Sequence, residues 1–186
     1  MTDLQSKTEP AATAPEQQSG VAARFFASRL WRWGRELAVI AALFAAVLWW
    51  QTRDMLPADG GVQIPQFTLP TLAGPPITVG PDVQRDTLVY FFAPWCGVCR
   101  STAPHLQDVD TSRTRVVVIA LDYRDRAAVQ EFVDATGLTH PVLLGTEQTR
   151  SRFQVQAYPT YYLLDRQFRV TGRAMGYLTA LGLLMR

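Results

Sequence analysis

The sequence predicts an α/β protein: a mixed β-sheet with helices on both faces, an N-terminal β-hairpin addition and one transmembrane helix ahead of the domain. An apolar run over residues 37–50 predicts the transmembrane helix. Beyond residue 86, short apolar runs alternate with amphipathic segments, which indicates strands alternating with helices. Two final strands joined by a three-residue turn close the order β-α-β-α-β-α-β-β-α. A β-α-β start with an antiparallel end means a mixed sheet.

Length and charge set the limits of this interpretation. The chain has 186 residues, which allows one domain and an appendage. Its formal net charge is +2, and all of its 18 basic residues except Lys7 are arginines. Past residue 60 these arginines are scattered among a similar number of acids, so no nucleic-acid partner is expected.

The N-terminal part predicts a tail and a membrane anchor. Residues 1–30 are predicted to be a disordered cytoplasmic tail, because the first 23 positions are polar and lack periodic apolar residues. Residues 31–50 are predicted to be the transmembrane anchor, since a spanning helix needs about 20 residues. Tryptophans lie at both ends of this segment, at positions 31, 33, 49 and 50, as side chains that prefer the headgroup layer do.

Charge predicts the orientation of this anchor. Four arginines at positions 24–35 precede the apolar run, whereas Arg53 is the only basic residue in the next thirty. The positive-inside rule therefore places the N-terminus in the cytoplasm and the domain on the periplasmic side of the inner membrane. A cleaved signal peptide is disfavoured because no small-residue cleavage site ends the run. A buried soluble helix is disfavoured because it would have to hide apolar side chains on every face.

The exported part predicts a linker followed by a folded domain over residues 64–186. The linker, residues 51–63, contains Pro57 and two glycines that break regular structure. Residues 66–79 predict an edge hairpin around a Gly-Pro-Pro turn. The remaining predicted strands cover residues 87–92, 115–121, 141–144, 160–164 and 168–174. The predicted helices cover residues 96–109 with a kink at Pro104, 125–136 ended by Gly137, 146–154 capped by Thr146, and 178–185.

The only two cysteines, Cys96 and Cys99, follow a buried strand and open a helix. Free backbone N–H groups at a helix N-terminus favour an anion, so the pKa of Cys96 is expected to fall below the ~8.5 of a free thiol. Cys99 lies one turn further on and is able to form a disulfide with Cys96. Cys96 is therefore predicted to be the exposed attacking sulfur, and Cys99 the resolving sulfur.

The cysteine pair has three alternative roles: a zinc site, a passive disulfide and a Cu(I)-binding thiol pair. Zinc needs four ligands, and His105 and His140 lack the usual paired spacing, which favours surface or hydrogen-bonded histidines. A disulfide over so short a loop restricts the unfolded chain little. Copper binding stays open, because soft thiolates suit Cu(I) and redox chemistry can coexist with it.

Several motifs together resemble a known family. They are the strand TLVYFF, the segment Ala93-Pro94-Trp95-Cys96-Gly97-Val98-Cys99-Arg100, the following Ala103-Pro104, the segment Tyr158-Pro159-Thr160 before a strand, and the leading Phe67-Thr68-Leu69-Pro70. Over about residues 64–180 the chain resembles the thioredoxin superfamily. The resemblance is to its membrane-anchored TlpA-like branch, in particular the suppressor-for-copper-sensitivity D type.

The resemblance implies roles for residues around the cysteines. Trp95 would pack beside the disulfide and, with Gly97 and Val98, shape the surface that docks substrates. Pro159 matches the cis-proline of the family, which would turn the backbone of Tyr158 towards an extended substrate chain.

The sequence departs from the family at two positions. Many thioredoxins carry a buried acid six residues before the first cysteine, and many TlpA-like reductases carry a glutamate three residues after the second. Tyr90 and Thr102 occupy these positions here. The departures put the usual proton relay to the buried sulfur in question. Asp122, at the end of the second central strand, is a weak substitute, because its position is more typical of a residue that starts a helix; water is another carrier for the proton.

The predicted function is disulfide exchange with exported proteins by a membrane-tethered thiol–disulfide oxidoreductase. The chemistry requires no metal, flavin or nucleotide, and electrons must come from another protein because the chain has no further cysteine. The favoured direction is that of a reductant fed by a membrane electron-transfer partner. A protein disulfide oxidant or isomerase, a Cu(I)-binding adaptor on the same fold and a peroxidase remain alternatives, and the Gly-Val dipeptide does not decide among them.

Overall fold

The computed structural model describes residues 19–176, apart from the side chains of residues 19–32, 48, 51 and 52. The chain divides between Leu48 and Trp49 into two compact units. The predicted tail before residue 19 and the predicted helix over residues 178–185 lie outside the described residues.

Helix α1 spans Ser19–Thr52. Residues 19–30 are therefore helical where the sequence predicts a disordered tail, because the stretch after Gly20 is rich in Ala, Arg and Leu, which favour helix, and lacks Pro. Within the part of the chain that the structure describes, no helix combines the length and the apolarity needed to cross a bilayer. The predicted anchor over residues 31–50 includes three residues, 31, 32 and 48, whose side chains lie outside the described residues.

Five strands form the central mixed sheet: β3 (Asp86–Phe92), β4 (Thr114–Ala120), β5 (Val142–Leu144), β6 (Thr160–Leu164) and β7 (Val170–Met175). Their order across the sheet is β5-β4-β3-β6-β7. Strand β3 lies in the middle, parallel to β4 and antiparallel to β6. Strand β5 is parallel to β4. Strand β7 is antiparallel to β6, as the sequence predicts.

The predicted helix over residues 96–109 divides at the proline. Helix α2 spans Gly97–Thr102, and a 3₁₀ segment continues over Ala103–Asp108, since Pro104 cannot donate the next α-helical hydrogen bond. Helix α3 spans Arg126–Thr136 and ends at Gly137, whose φ of 64° is left-handed. Helix α4 spans Glu147–Arg152 and begins with the predicted Thr146 cap.

Alternating side chains of the sheet build a core on each of its faces. Leu88, Tyr90 and Phe92 of β3 pack with side chains of α2 and α3. Val89 and Phe91 point the other way, into a cluster that includes Phe153 and the hairpin. All six residues 87–92 are buried, so β3 is a central strand covered on both sides, as its continuous apolar run predicts.

The predicted edge hairpin is present as strands β1 (Phe67–Leu69) and β2 (Ile77–Val79). The strands are antiparallel and pair Phe67 with Val79. Backbone hydrogen bonds from Leu144 N to Pro70 O (2.8 Å) and from Leu72 N to Val142 O (2.8 Å) join the hairpin region to strand β5.

The segment predicted as a linker, residues 51–63, is largely part of the domain. Met55 and Leu56 are buried, with 3% and 7% of their surfaces exposed. The hydroxyl of Tyr162 accepts a hydrogen bond from Leu56 N at 3.2 Å, and Arg173 Nη1 donates to the carbonyl oxygens of Met55 (2.9 Å) and Leu56 (3.0 Å). The linker prediction relied on Pro57 and the two glycines and missed this apolar pair. Burial of such a side chain is favourable by about 1.5–3 kcal/mol.

Candidate active site

The two cysteines lie at the junction of strand β3 and helix α2. Cys96 is the N-cap of the helix, with an extended backbone (φ −76°, ψ 109°). Cys96 and Cys99 form a disulfide with a Cα–Cα distance of 5.2 Å. Cys99 has no exposed surface and Cys96 is 6% exposed. Cys96 is therefore the more exposed member of the pair, but both cysteines are buried, whereas the sequence predicts an exposed attacking sulfur.

A backbone amide points at the Cys96 sulfur. The N–H of Cys99 donates to Cys96 Sγ over 3.1 Å and so satisfies one of the free donors of the first helical turn. A thiolate accepts such a bond more strongly than a neutral sulfur does, because hydrogen bonds to ionised acceptors are about twice as strong. The geometry therefore stabilises an anionic Cys96 once the disulfide is reduced.

Trp95 and Tyr158 lie against each other beside the cysteines. Their ring centroids are 5.8 Å apart, with the planes at 82°. The indole Nε1 of Trp95 donates to the backbone oxygen of Asp122 at 3.0 Å, which fixes the ring. The Tyr158–Pro159 peptide bond is cis, as the resemblance implies. The cis-proline loop thus contacts Trp95, the residue that directly precedes Cys96, through the ring of Tyr158.

Apolar side chains around the cysteines face solvent. Among the large apolar residues that the structure describes after residue 53, three are exposed: Val83, Trp95 (65%) and Val98 (45%). Trp95 and Val98 flank Cys96 and Gly97, so the candidate site lies in an apolar surface. Exposed apolar surface next to a reactive group is typical of a protein-binding site.

Comparison with known proteins shows which family this site belongs to. The sequence pattern of the AhpC/TSA family matches residues 61–173, which is more than half of the chain. The chain belongs to the AhpC/TSA family.

Three relatives show how far the similarity extends. The thioredoxin-like protein YneN of Bacillus subtilis is 27% identical over 124 residues, covering 64% of this chain and 73% of YneN. The sporulation thiol-disulfide oxidoreductase A of Bacillus subtilis is 23% identical, covering 78% of this chain and 92% of that protein. The crystal structure of StoA from Bacillus subtilis matches with a TM-score of 0.56 at 24% identity and covers 69% of this chain and 98% of StoA.

The structural similarity confirms the predicted thioredoxin-like fold for this AhpC/TSA family member. Its relatives are thioredoxin-like proteins and thiol–disulfide oxidoreductases. The comparisons therefore support thiol–disulfide oxidoreductase as the enzyme class of the chain.

Tyr90 and Thr102, the positions at which the sequence departs from the thioredoxin and TlpA-like patterns, meet behind Cys99. The hydroxyl of Tyr90 is 3.2 Å from Thr102 Oγ1 and donates to the backbone oxygen of Cys99 at 3.3 Å. Thr102 Oγ1 also lies within bonding distance of the carbonyls of Val98 (3.1 Å) and Cys99 (3.3 Å). Neutral hydroxyls, bonded to each other, thus stand at the two positions where the resembled proteins often carry acids.

These hydroxyls do not ionise near neutral pH. Burial raises the pKa of Tyr90 far above its usual value of 10, outweighing the opposing effect of Thr102. Burial also raises the pKa of Tyr161 to about 12. The Tyr161 ring lies 5.0 Å from that of Tyr90, and its hydroxyl is buried with no hydrogen bond of good geometry among the described residues. The hydroxyls of Tyr90 and Tyr161 are therefore neutral near pH 7.

Asp122 is not the residue that starts helix α3. Asp125 takes that role, since its side chain accepts a hydrogen bond from Ala128 N at 2.8 Å. Asp122 instead has a left-handed backbone (φ 50°) and accepts the Trp95 indole bond with its carbonyl. The sequence identified Asp122 for its carboxylate and gave no sign of this backbone contact, because strand register decides which backbone oxygen lies beside Trp95.

The two histidines are a surface group and a hydrogen-bonded group, as expected. His105 Nδ1 lies 3.5 Å from Asp108 on the 3₁₀ segment, and its side chain is 45% exposed. His140 Nε2 is 3.2 Å from the backbone oxygen of Leu106. Neither contact involves the cysteines.

The two buried tyrosines offer a matched test of the hydroxyl pair. Tyr90→Phe removes a hydroxyl that bonds to Thr102 and to Cys99 O, so it should lower the free energy of unfolding by about 1 kcal/mol. Tyr161→Phe removes a hydroxyl without such bonds and should change it by less than about 0.5 kcal/mol. Urea unfolding of the full-length oxidised chain in mild detergent, followed by tryptophan fluorescence, measures both. Equal losses in the two variants would show that the Tyr90 bonds do not hold this turn.

Proposed function

We propose that this chain is a membrane-tethered protein thiol–disulfide oxidoreductase that exchanges disulfides with exported proteins, as a reductant. The observation that carries the proposal is the Cys96–Cys99 disulfide at a helix N-terminus, with a backbone N–H directed at Cys96 Sγ. The assignment to the TlpA-like branch belongs to the same proposal and draws on the β1–β2 hairpin and on helix α1.

The proposed reaction starts from the reduced pair. The Cys96 thiolate attacks one sulfur of a substrate disulfide, so a mixed disulfide forms and the other substrate sulfur leaves as a thiolate. The Cys99 thiol then loses its proton and attacks Cys96 Sγ, which closes the Cys96–Cys99 disulfide and releases the second substrate sulfur. Two electrons pass to the substrate, whose two thiolates take up two protons. Burial of Cys99 supports its resolving role, because a protein disulfide cannot reach it directly.

The proposed docking surface consists of Trp95, Gly97, Val98, Tyr158 and Pro159. Trp95 and Val98 supply exposed apolar area next to Cys96. Pro159 precedes strand β6, where the cis bond sets the direction of the backbone before Thr160. A substrate segment in extended conformation can pair with the backbone at this point.

The proposed tether is the segment over residues 31–50, with the N-terminus in the cytoplasm and the domain outside. Its described large apolar side chains are more than half exposed, and they include Trp33, Ile40, Phe44 and Trp49. Apolar side chains on all sides of a helix favour a lipid environment over water. The four arginines at positions 24–35, ahead of the apolar run over residues 37–50, support the orientation.

The proposed direction rests on the resemblance to TlpA-like proteins and requires an electron donor, since the chain holds no third cysteine. A membrane electron-transfer partner is the proposed donor. The rival functions are those of a disulfide oxidant or isomerase and of a Cu(I)-binding adaptor. The reduction potential of the cysteine pair separates an oxidant from a reductant, and Cu(I) affinity separates the adaptor from both.

The two single cysteine variants should differ from each other, because the proposed roles of Cys96 and Cys99 differ. Cys96→Ser should abolish reduction of a disulfide-bonded protein, because the nucleophile is lost. Cys99→Ser should instead accumulate a mixed disulfide with the substrate, visible as a shifted band on a non-reducing gel. The double variant is the control and should form no adduct. Full activity of Cys96→Ser, or adducts formed through Cys99 alone, would contradict the assignment.

The reduction potential of the Cys96–Cys99 pair should fall near that of thioredoxin, about −270 mV, if the protein is a reductant. Equilibration of the full-length chain against dithiol and glutathione buffers, with alkylation of free thiols, measures it. A potential near about −120 mV would mark a disulfide donor and overturn the proposed direction. Tight Cu(I) binding with slow exchange would favour the adaptor.

The tether predicts how the protein fractionates. The full-length chain should remain in the membrane fraction after alkaline carbonate extraction, and protease added to intact spheroplasts should digest its domain. A chain that starts at Arg53 and carries a cleavable export signal is the control and should be released with the periplasmic contents. Full release of the full-length chain by carbonate would contradict the tether.

A further inference from the structure

A pocket opens beside the redox site, at the edge of the sheet where strands β4 and β5 end. Its volume is about 330 Å³. The pocket is formed by residues that follow the two strands and by the first turns of helix α4: Asp122, Tyr123, Gly145, Glu147 and Arg150. This volume lies at the small end of the range for ligand pockets, about 300–1,000 Å³, and can hold one long amino-acid side chain.

The pocket is connected to the redox site through Trp95. The Trp95 indole donates to the backbone oxygen of Asp122, which lines the pocket, and Trp95 directly precedes Cys96. Tyr158, next to the cis-proline, lies edge-on against the same indole ring. A polypeptide bound across Cys96 and Pro159 therefore passes close to the mouth of the pocket.

Tyr158 carries a buried hydroxyl that nothing in the described residues satisfies. Its oxygen has no hydrogen-bond partner among them. Burial raises the pKa of Tyr158, Arg150 opposes the rise, and Asp122 and Glu147 add to it. The charged residues of the pocket thus lie close enough to act on this hydroxyl, which stays neutral and is closed to solvent, so it does not itself line the pocket.

The charges of the pocket do not cancel. Arg150 is already engaged, because its Nη1 lies 3.7 Å from Glu147 Oε2 and its Nε donates to the backbone oxygen of Val155 at 3.2 Å. The Asp122 carboxylate has no ion pair or hydrogen bond with any side chain that the structure describes. The nearby Arg124 is occupied by Asp125, with a distance of 2.8 Å between Nε and the carboxylate. One negative charge is left over, and it favours a cationic ligand.

We propose that this pocket is a specificity site that receives a lysine or arginine side chain of the substrate polypeptide, a few residues from the substrate cysteine. The Asp122 carboxylate, which lines the pocket, pairs with the substrate cation. The inference rests on the proposed function, since it assigns a substrate class to the same exchange reaction. Substrates with acidic side chains at this point are disfavoured, because Arg150 is held by Glu147 and Asp122 would repel them.

Short peptides test the proposal directly. Each peptide has seven residues and a central cysteine joined by a disulfide to 5-thio-2-nitrobenzoate. A single Lys, Gln or Glu is placed two or three residues to either side of that cysteine. The reduced Cys96 thiolate attacks the peptide sulfur, and the nitrobenzoate leaves as a coloured thiolate, so absorbance reports the rate for the reduced full-length chain. At one or more positions the Lys peptide should react about two- to five-fold faster than its Gln counterpart, with the Glu peptide slowest.

The variants separate the pocket from general effects of charge. Asp122→Asn keeps a residue type that tolerates the left-handed backbone but removes the charge, so the ratio of Lys to Glu rates should fall towards one. Asp134→Asn is the matched control: it removes the same charge from the last turn of helix α3 and keeps an oxygen for Gln130 Nε2. This control should leave the ratio unchanged.

Two results would overturn the inference. Equal rates for the three peptides at every position would contradict the proposed specificity site. Faster reaction of the Glu peptides would show that Arg150, and not Asp122, selects the substrate side chain. Reduction of the uncharged 2-hydroxyethyl disulfide by the same preparation separates these results from a failure of the proposed function. A chain that reduces neither this compound nor any peptide would overturn the proposed function and the inference together.

Discussion

The register of strand β3 with its two neighbours is the constraint on which the candidate site depends. Phe92 pairs with Ala120 of β4, and Phe91 pairs with Thr160 of β6. Because β3 is parallel to β4 and antiparallel to β6, the ends of β3 and β4 and the beginning of β6 meet at one edge of the sheet. Trp95, Asp122 and Tyr158 follow or precede these ends by a few residues, so pairing alone brings them together.

The buried environment of Cys99 depends on a local balance between hydrogen bonding and desolvation. A carboxylate in this position would need compensation for its burial, whereas the hydroxyls of Tyr90 and Thr102 satisfy each other and the carbonyl of Cys99. The arrangement stabilises the first turn of α2 without a charge. It also leaves no carboxylate among these contacts to accept the proton of Cys99, so a proton must leave by way of neutral hydroxyls or water.

Sequence patterns predicted the elements well where one local signal dominated. The apolar run of β3, the Gly137 stop and the Thr146 cap each appear in the structure at the predicted residue or within one of it. The predictions were weaker where a distant partner decided the outcome. Met55 and Leu56 lie among linker-type residues, and only contacts with Tyr162 and Arg173, more than a hundred residues away, make this segment part of the domain.

The sequence by itself determined the fold class and the two candidate cysteines, and the family resemblance added the cis-proline position, because each depends on a motif of a few adjacent residues in a known context. The tertiary structure alone decided that Tyr90 bonds to Thr102, that the Trp95 indole bonds to the carbonyl of Asp122, and that Asp122 lines a pocket together with Glu147 and Arg150. The physical reason is that these contacts join residues brought together by strand pairing and packing. Their energies depend on distance and burial, which a linear pattern does not contain.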